Sequence, residues 1–403
     1  MLDRLLRASL EAAVARRQSV LLLGPRQVGK TTLINALVGS RPNVMTVPLH
    51  DPAVRLELER DPSLLGRRIA AGRARPTVFI DEIQKVPELL DAAQLLIDQR
   101  LASFLLTGSS ARKLRRAGVN LLPGRIKAYH LDPLTWAELG WAGDGRLQQL
   151  ATKPSRRVAD YSIDDALVFG SLPGIIAHPP SDRREFLQAY GRIYLEEEIR
   201  AEALIRKMSP FSRFIELAAR ESGTAPNLTK LSLESGTSVT SIKSYYDILE
   251  DTLVVARVEP YLKNARKRLL ATPRYYFFDL GVRNAVAGLP LERGLVTAQR
   301  GQLFEHAVVL EIIRRVRALR RNYRVHFWRT AAGAEVDCVI DTGTDVIPIE
   351  IKAARRVRLS DVSGLVRFLD DYASIARQGY VVTMGSGAER LAKNILAIPW
   401  TEL

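Results

Sequence analysis

An apolar run, Ser19 to Leu23, ends in Gly24-Pro25-Arg26-Gln27-Val28-Gly29-Lys30-Thr31, and a helical pattern follows from Thr32 to Val38. A strand, a glycine-framed loop and a helix in that order make a phosphate-binding loop. The two glycines let the backbone N–H groups curl around phosphate oxygens, and the helix N-terminus adds partial positive charge. Lys30 reaches the β- and γ-phosphates as a point charge, and the Thr31 hydroxyl would ligate Mg²⁺. The expected nucleotide-binding surface therefore runs from Gly24 through Thr32. Further apolar runs at Val44–Leu49, Thr77–Ile80, Ser103–Thr107 and Ile126–Leu131 alternate with helical patterns. That alternation predicts a parallel sheet built from βαβ units.

Val78-Phe-Ile-Asp81-Glu82 supplies a second half to the site. An apolar strand delivers two carboxylates at its C-terminal end, where open α/β sheets hold their ligands. Asp81 is expected to hold the metal, mainly through water, and Glu82 to polarise the attacking water. Taken alone, such a pair also reads as an acidic cap on the next helix; its place after the phosphate loop favours the first reading.

Composition narrows the setting. The 403 residues hold 59 Lys and Arg against 44 Asp and Glu, a formal net charge of +15, which favours a polyanionic partner. A single cysteine, Cys338, excludes an intramolecular disulfide framework and a cysteine-based zinc site. The five histidines are scattered, with no pair at helical ligand spacing. No apolar run reaches the length of a membrane span, and Met1 to Arg17 is too charged for a signal peptide. The expected location is cytoplasmic.

The phosphate loop, Phe79-Ile-Asp-Glu-Ile-Gln84 and Leu105-Leu-Thr-Gly-Ser-Ser110 together resemble the AAA+ superfamily, and more narrowly the prokaryotic signalling-type ATPases. The resemblance implies that Ser109, with Thr107 as the alternative, contacts the γ-phosphate or the water. Leu122-Pro-Gly-Arg125 is also similar to this family. It implies an arginine finger at Arg125, with Arg112 as a second candidate, reaching a neighbouring subunit of a homo-oligomer, hexameric ring included. A surface ion pair is the plain alternative. Gly170-Ser-Leu-Pro173 resembles the family's Gly-x-Pro element, whose proline packs on adenine, but here an extra residue separates the two.

Residues Pro210 to Leu253 read as three short helices, followed by an apolar β segment over Leu253–Val258. Phe211, Phe214, Ile215, Leu217 and Ala218 form one apolar face; Val239, Ile242, Tyr245, Tyr246 and Leu249 form another. Asn227 is placed to cap the second helix. This is the layout of a winged helix-turn-helix. Lys243 is the one cation on the exposed face of the third helix, while Lys263, Arg266, Lys267 and Arg268 fall in the wing and are the better phosphate contacts. A winged helix that packs between domains is the alternative.

Toward the C-terminal end, Glu335-Val-Asp337 and Glu350-Ile-Lys352 lie on two successive predicted strands. Period-2 geometry turns Glu350 and Lys352 to one face. Asp337 and Glu350 can then share a divalent metal, Mg²⁺ or Mn²⁺, and Lys352 can orient or deprotonate a water. Glu305, opening an apolar helix, is a further candidate ligand. The set resembles the PD-(D/E)xK nucleases, without the proline before Asp337. The segment from Tyr261 to Thr330 carries 15 Lys and Arg against 4 Asp and Glu, which points to a phosphate-backbone track beside this site.

The expected architecture is an α/β multidomain chain. An AAA+ ATPase core spans 1–145, a helical lid or linker 146–208, a winged helix-turn-helix 209–270, and a restriction-endonuclease-like domain 271–403. The expected function is ATP hydrolysis coupled to Mg²⁺- or Mn²⁺-dependent cleavage of DNA. Two alternatives stay open: an ATPase switch whose C-terminal fold docks DNA or protein without cutting, and a signalling ATPase whose basic face meets protein or RNA.

Overall fold

A computed structural model describes residues 2–39, 41–72, 75–110, 124–141, 145–191, 208–262 and 272–403. Arg112, Lys263, Arg266, Lys267 and Arg268 lie outside the described residues.

The first unit is a five-stranded parallel sheet of β1 (Ser19–Leu23), β2 (Val44–Val47), β3 (Thr77–Ile80), β4 (Ser103–Gly108) and β5 (Ile126–His130), in the order β2-β3-β4-β1-β5. Every residue of β4 is buried, as expected of a central strand covered on both faces. Helices α1 (Arg7–Ala15), α2 (Lys30–Val38), α3 (Pro52–Arg60), α4 (Leu64–Ala70) and α5 (Leu89–Asp98) supply the cover. Helix α2 starts at Lys30, two residues earlier than its apolar pattern suggested, because the helical N–H groups begin at the phosphate loop itself.

Helices α6 (Ile163–Phe169), α7 (Pro173–Ala177), α8 (Arg183–Ala189), α9 (Met208–Arg220), α10 (Leu228–Ser235) and α11 (Val239–Asp251) form the middle. Their starts are written locally. Ser162 and Asp165 make a reciprocal capping box for α6, Asn227 accepts the Lys230 N–H for α10, and Ser238 accepts the Ser241 N–H for α11. Each such cap is worth about 1 kcal/mol. Phe211, Phe214, Ile242, Tyr246 and Leu249 are buried as the periodicity predicts. Val239 is 36% exposed, because its place at the first turn of α11 carries it past the edge of the apolar face.

The second sheet has eight strands in the order β12-β13-β11-β10-β9-β8-β6-β7. They are β6 (Val255–Pro260), β7 (Arg274–Phe277), β8 (Arg324–Arg329), β9 (Glu335–Asp341), β10 (Val346–Lys352), β11 (Gly379–Thr383), β12 (Glu389–Ala392) and β13 (Ile395–Pro399). Strand β6 pairs antiparallel with β7 and parallel with β8, so the span expected as a winged helix and the C-terminal span share one sheet. The expected boundary at 270/271 lies outside the described residues. Helices α12 (Leu280–Val286), α13 (Arg293–Ala318) and α14 (Ser363–Asp371) complete the fold.

Helix α13 spans 26 residues with a kink at Gln299, whose φ of −132° and ψ of 25° are not helical, and it links the two units. Its middle is buried, and its charges are met by the first unit, by neighbouring segments and by one another. Glu311 accepts the Trp136 N–H on both oxygens, at 3.0 and 2.9 Å. Arg314 donates to Leu134 and Phe278 carbonyls and to Ser171, and Arg315 to Glu311. Arg317 pairs with Asp132 at 2.9 Å, and Arg320 lies over the Tyr129 ring. One apolar core runs from Leu6 through the helical middle to Leu403. No described helix is long and apolar enough to cross a membrane.

Candidate functional site

The phosphate loop folds as its glycines require. Gly29 sits at φ 90°, a left-handed conformation that costs glycine little. A Cβ on Gly24 would come within 2.2 Å of the Leu131 carbonyl oxygen, so only glycine fits that approach. Lys30 is 5% exposed; its ammonium donates to the Gly24 and Pro25 carbonyls at 2.8 and 2.9 Å and stands 4.0 Å from Glu82 Oε1. The Thr31 hydroxyl lies 3.0 Å from both Asp81 oxygens.

At the end of β3 the chain turns sharply. Glu82 occupies the left-handed region, at φ 58° and ψ 53°. A non-glycine residue held there marks a site whose surroundings enforce it. Thr107, at the end of β4, supplies that enforcement: it accepts the Glu82 N–H at 3.0 Å and donates to Asp81. Ser109, 1% exposed, donates to Glu82 Oε2 at 3.0 Å, and Gln84 donates to both Ser109 and Glu82. Thr107 thus meets Asp81, and Ser109 meets Glu82. The Gln84 side-chain oxygen is buried and without a hydrogen bond, and so available to a ligand or water.

A cleft of about 560 Å³ opens over these groups, lined by Arg26, Gln27, Lys30, Thr31, Glu82 and Pro173 among others. Pro173 opens α7 and closes the cleft from the far side, despite the extra residue before it. A smaller apolar hollow of about 150 Å³ adjoins it, walled by Leu2, Val28, Thr32, Leu134 and Pro173. Arg4 fastens the N-terminal segment to the loop, donating to the Val28 carbonyl at 2.6 Å, the Asp132 carbonyl at 2.6 Å and Glu138 at 3.0 Å. Nothing local in the sequence singles Arg4 out; its role arises from contacts 24 to 134 residues away.

The C-terminal constellation assembles on β9 and β10, paired antiparallel with Cys338 opposite Ile349. Asp337 and Glu350 are 6% and 5% exposed. Asp337 accepts the Ile351 N–H at 2.8 Å, Glu350 Oε1 pairs with Lys352 at 2.7 Å, and Glu350 Oε2 is buried with no hydrogen bond. Glu305, from α13, stands 3.6 Å from Arg274, which also bonds Glu335 at 3.2 Å. Burial, reinforced by Asp337, raises the Glu305 carboxyl to about 7 and the Glu350 carboxyl to about 8. Burial also raises Asp337 against the pull of the Ile351 amide and of Lys352 and Arg274. Lys352 is lowered by burial but raised more by Glu350 and the other carboxylates. Among the described residues no three His, Cys, Asp or Glu side chains stand together in a metal-holding group. The carboxylates are close enough to shift one another, yet each already has a partner within the protein. Arg274 is the member that sequence reasoning missed, since only sheet pairing brings it here; Glu335, quoted with Asp337 but given no role, is its hydrogen-bond partner.

The remaining candidates are dispersed. Arg125 is exposed and forms an ion pair with Asp98 of α5. Lys243 is exposed on α11, as expected. The basic segment is corrected: Arg274, Arg283, Arg314 and Arg315 of the Tyr261–Thr330 span are buried. Arg283 donates to the Ala219 and Arg220 carbonyls, and Arg317 and Arg320 are engaged with the ATP-site unit. A charge surplus counted along the chain overstated the surface, since these guanidiniums satisfy buried oxygens.

Comparison with known proteins agrees with the first unit. Residues 16–140 match the model of an AAA domain. Residues 160–293 and 300–403 match two domains of unknown function, DUF8612 and DUF4143. An uncharacterized protein of Mycobacterium tuberculosis is 27% identical over 398 residues, 97% of this chain and 82% of the relative. Another, from Haemophilus influenzae, is 22% identical over 325 residues, 78% of this chain and 75% of the relative. Among solved structures, a Walker-type ATPase of Pyrococcus abyssi is similar at 14% identity and a TM-score of 0.47, covering 71% of this chain and 96% of that one. AMPPCP-bound DnaA from Aquifex aeolicus is similar at 14% identity and a TM-score of 0.29, covering 62% and 89%. The N-terminal unit matches an AAA domain, which supports ATP binding at its phosphate loop.

Proposed function

We propose that this chain couples ATP hydrolysis at the N-terminal site to divalent-metal-dependent cleavage of DNA phosphodiesters at the C-terminal carboxylates. At the first site Lys30 and the loop amides bind the phosphates. The Thr31 hydroxyl and Asp81 form an oxygen donor pair suited to Mg²⁺. Glu82, fixed by Ser109 and Gln84, orients the attacking water. The apolar hollow beside Val28, Leu134 and Pro173 suits the adenine ring. Arg125, exposed at the sheet edge, is available to a neighbouring copy as a finger in a homo-oligomer.

The observation that carries the nuclease reading is the juxtaposition of Asp337, Glu350 and Lys352, with one buried Glu350 oxygen left without a partner. Such an oxygen is costly to leave unpaired, and a cation beside Asp337 and Glu350 would relieve it. A divalent ion there would acidify water and neutralise the phosphate. Lys352 holds and orients the attacking water beside Glu350. Helices α9 to α11 with β6 and β7 have the order of a winged helix, and Lys243 on α11 would meet a phosphate.

One assay decides. Linear, circular and single-stranded DNA are incubated with the protein, with Mg²⁺ or Mn²⁺, with and without ATP, beside the Asp337→Ala variant. Metal-dependent cutting by the wild type that the variant lacks is the expected result. Absence of cutting in both, with DNA still bound at low salt, supports instead an ATPase switch whose C-terminal unit docks DNA. The internal pairing of Glu305 and Glu350 with Arg274 and Lys352 favours that second reading.

A further inference from the structure

Arg314 takes no part in the chemistry proposed for either site, yet it reaches the wall of the nucleotide cleft. It stands in the buried middle of α13, 6% exposed. Nη1 donates to the Leu134 carbonyl at 3.1 Å and to the Ser171 hydroxyl at 2.6 Å. Nη2 donates to the Phe278 carbonyl at 2.8 Å and stands 3.7 Å from the buried Asp279 carboxylate. Asp279 in turn accepts the Ser171 N–H at 2.7 Å, and the Leu134 N–H donates to the Ser171 carbonyl at 2.9 Å. Leu134 lines one part of the apolar hollow beside the phosphate loop, and Pro173, two residues beyond Ser171, lines another. One guanidinium therefore ties together two segments, distant in the chain, that both wall this hollow. Its donors lie in a rigid planar fork, so their acceptors are held at a fixed separation. The fork cannot let go of one wall without leaving a buried polar group unpaired.

We propose, resting on the reading of that hollow as the adenine site, that Arg314 is a positioning residue for nucleotide binding. It fixes the spacing of Leu134 and Pro173 and so sets how well a flat purine ring is gripped. A ring gains dispersion only where atoms meet it closely, and a slot held open in advance costs little ordering when it fills. The described bonds of Arg314 go to none of the groups that hold the triphosphate, Lys30 and the loop amides. Affinity for the base is thus governed from α13, in the C-terminal half of the chain, while affinity for the triphosphate is governed at the phosphate loop.

The test is binding of AMPPNP, a non-hydrolysable ATP analogue, and of inorganic tripolyphosphate, each with Mg²⁺, measured by isothermal titration calorimetry on the full-length protein. Arg314→Lys keeps the charge beside Asp279 but cannot span the Leu134, Ser171 and Phe278 oxygens. Its affinity for AMPPNP is expected to fall about tenfold and its affinity for tripolyphosphate to stay within about twofold. Ser171→Ala removes one acceptor and leaves the ion pair in place; a fall of about threefold, confined to AMPPNP, is expected. It carries the test if Arg314→Lys does not fold. A folded Arg314→Lys variant that keeps the wild-type affinity for AMPPNP overturns the proposal. So does one that loses both ligands alike, the mark of a general loss of structure. Leu134→Ala separates the two ideas. If it weakens AMPPNP alone while Arg314→Lys matches the wild type, the adenine site stands and the positioning role fails. If Leu134→Ala binds AMPPNP as tightly as the wild type, the base lies elsewhere, and the reading of the hollow falls together with the proposal.

Discussion

The two sites hold opposite electrostatic problems. At the phosphate loop the protein supplies cation and N–H groups, and a bound polyanion completes the site. Lys30 meanwhile rests on the Gly24 and Pro25 carbonyls, neutral acceptors that release it without leaving a buried charge behind. At the C-terminal end the protein buries carboxylates and completes them with its own Lys352 and Arg274. The first site is open to an anion; the carboxylates of the second are already paired within the protein.

Lys30→Ala should break the first side of this contrast most severely. ATP turnover is expected to fall by a hundredfold or more, on the order of what a phosphate-directed charge contributes, with Mn²⁺ binding to the nucleotide-free protein unchanged. Undiminished turnover would remove the loop from the mechanism. Arg125→Ala comes next. If Arg125 acts on a neighbouring copy, turnover drops by about a hundredfold where the chain assembles, and the melting temperature barely moves, since its exposed pair with Asp98 contributes little to folding. Thr107→Val removes both the bond to Asp81 and the acceptor for Glu82. It should lower kcat about tenfold while changing nucleotide affinity less; an equal change in both would make Thr107 a binding residue instead.

The smallest effect is the pH response of the second site. The Glu305 and Glu350 carboxyls, raised to about 7 and about 8 from 4.5, keep protons that the unfolded chain would release first. Folded protein then binds more protons than unfolded between about pH 5 and 8, so these groups cost increasing stability as pH rises through that window. Melting should therefore fall by a few degrees from pH 5.5 to 8 without metal. Mn²⁺ should restore more of it at pH 8 than at pH 6. A melting curve flat in pH, and equally flat in Glu350→Gln, would contradict the burial of an uncompensated carboxyl.

Legibility followed contiguity. The loop from Gly24 to Thr32 and the Asp81-Glu82 pair are each one local segment on one strand end, and five strands fell where apolar runs placed them. Glu350 and Lys352 were readable because period 2 needs only neighbours. Strand β12 escaped notice because Glu389–Ala392 is a half-exposed edge strand with two charges, so no apolar run announces it; β13, the apolar run Ile395–Pro399, was legible and overlooked. Arg4 and Arg274 were invisible for another reason. Their partners lie up to 134 residues away for Arg4 and 61 for Arg274, and no spacing rule spans that. The charge count erred for the same cause, because a sequence does not say which arginines turn inward.

Helix α13 has a consequence for how the molecule can be taken apart. Its first half carries Glu305 and its second half answers the Trp136 amide and Asp132 carboxylate. A fragment stopping before residue 293 would leave those groups bare, and a fragment starting there would present Glu311, Arg314 and Arg315 without their counterparts. No cut separates the two units without exposing buried charges in both, so protease nicks should accumulate outside this helix and the two units should be exchanged between chains only as a pair.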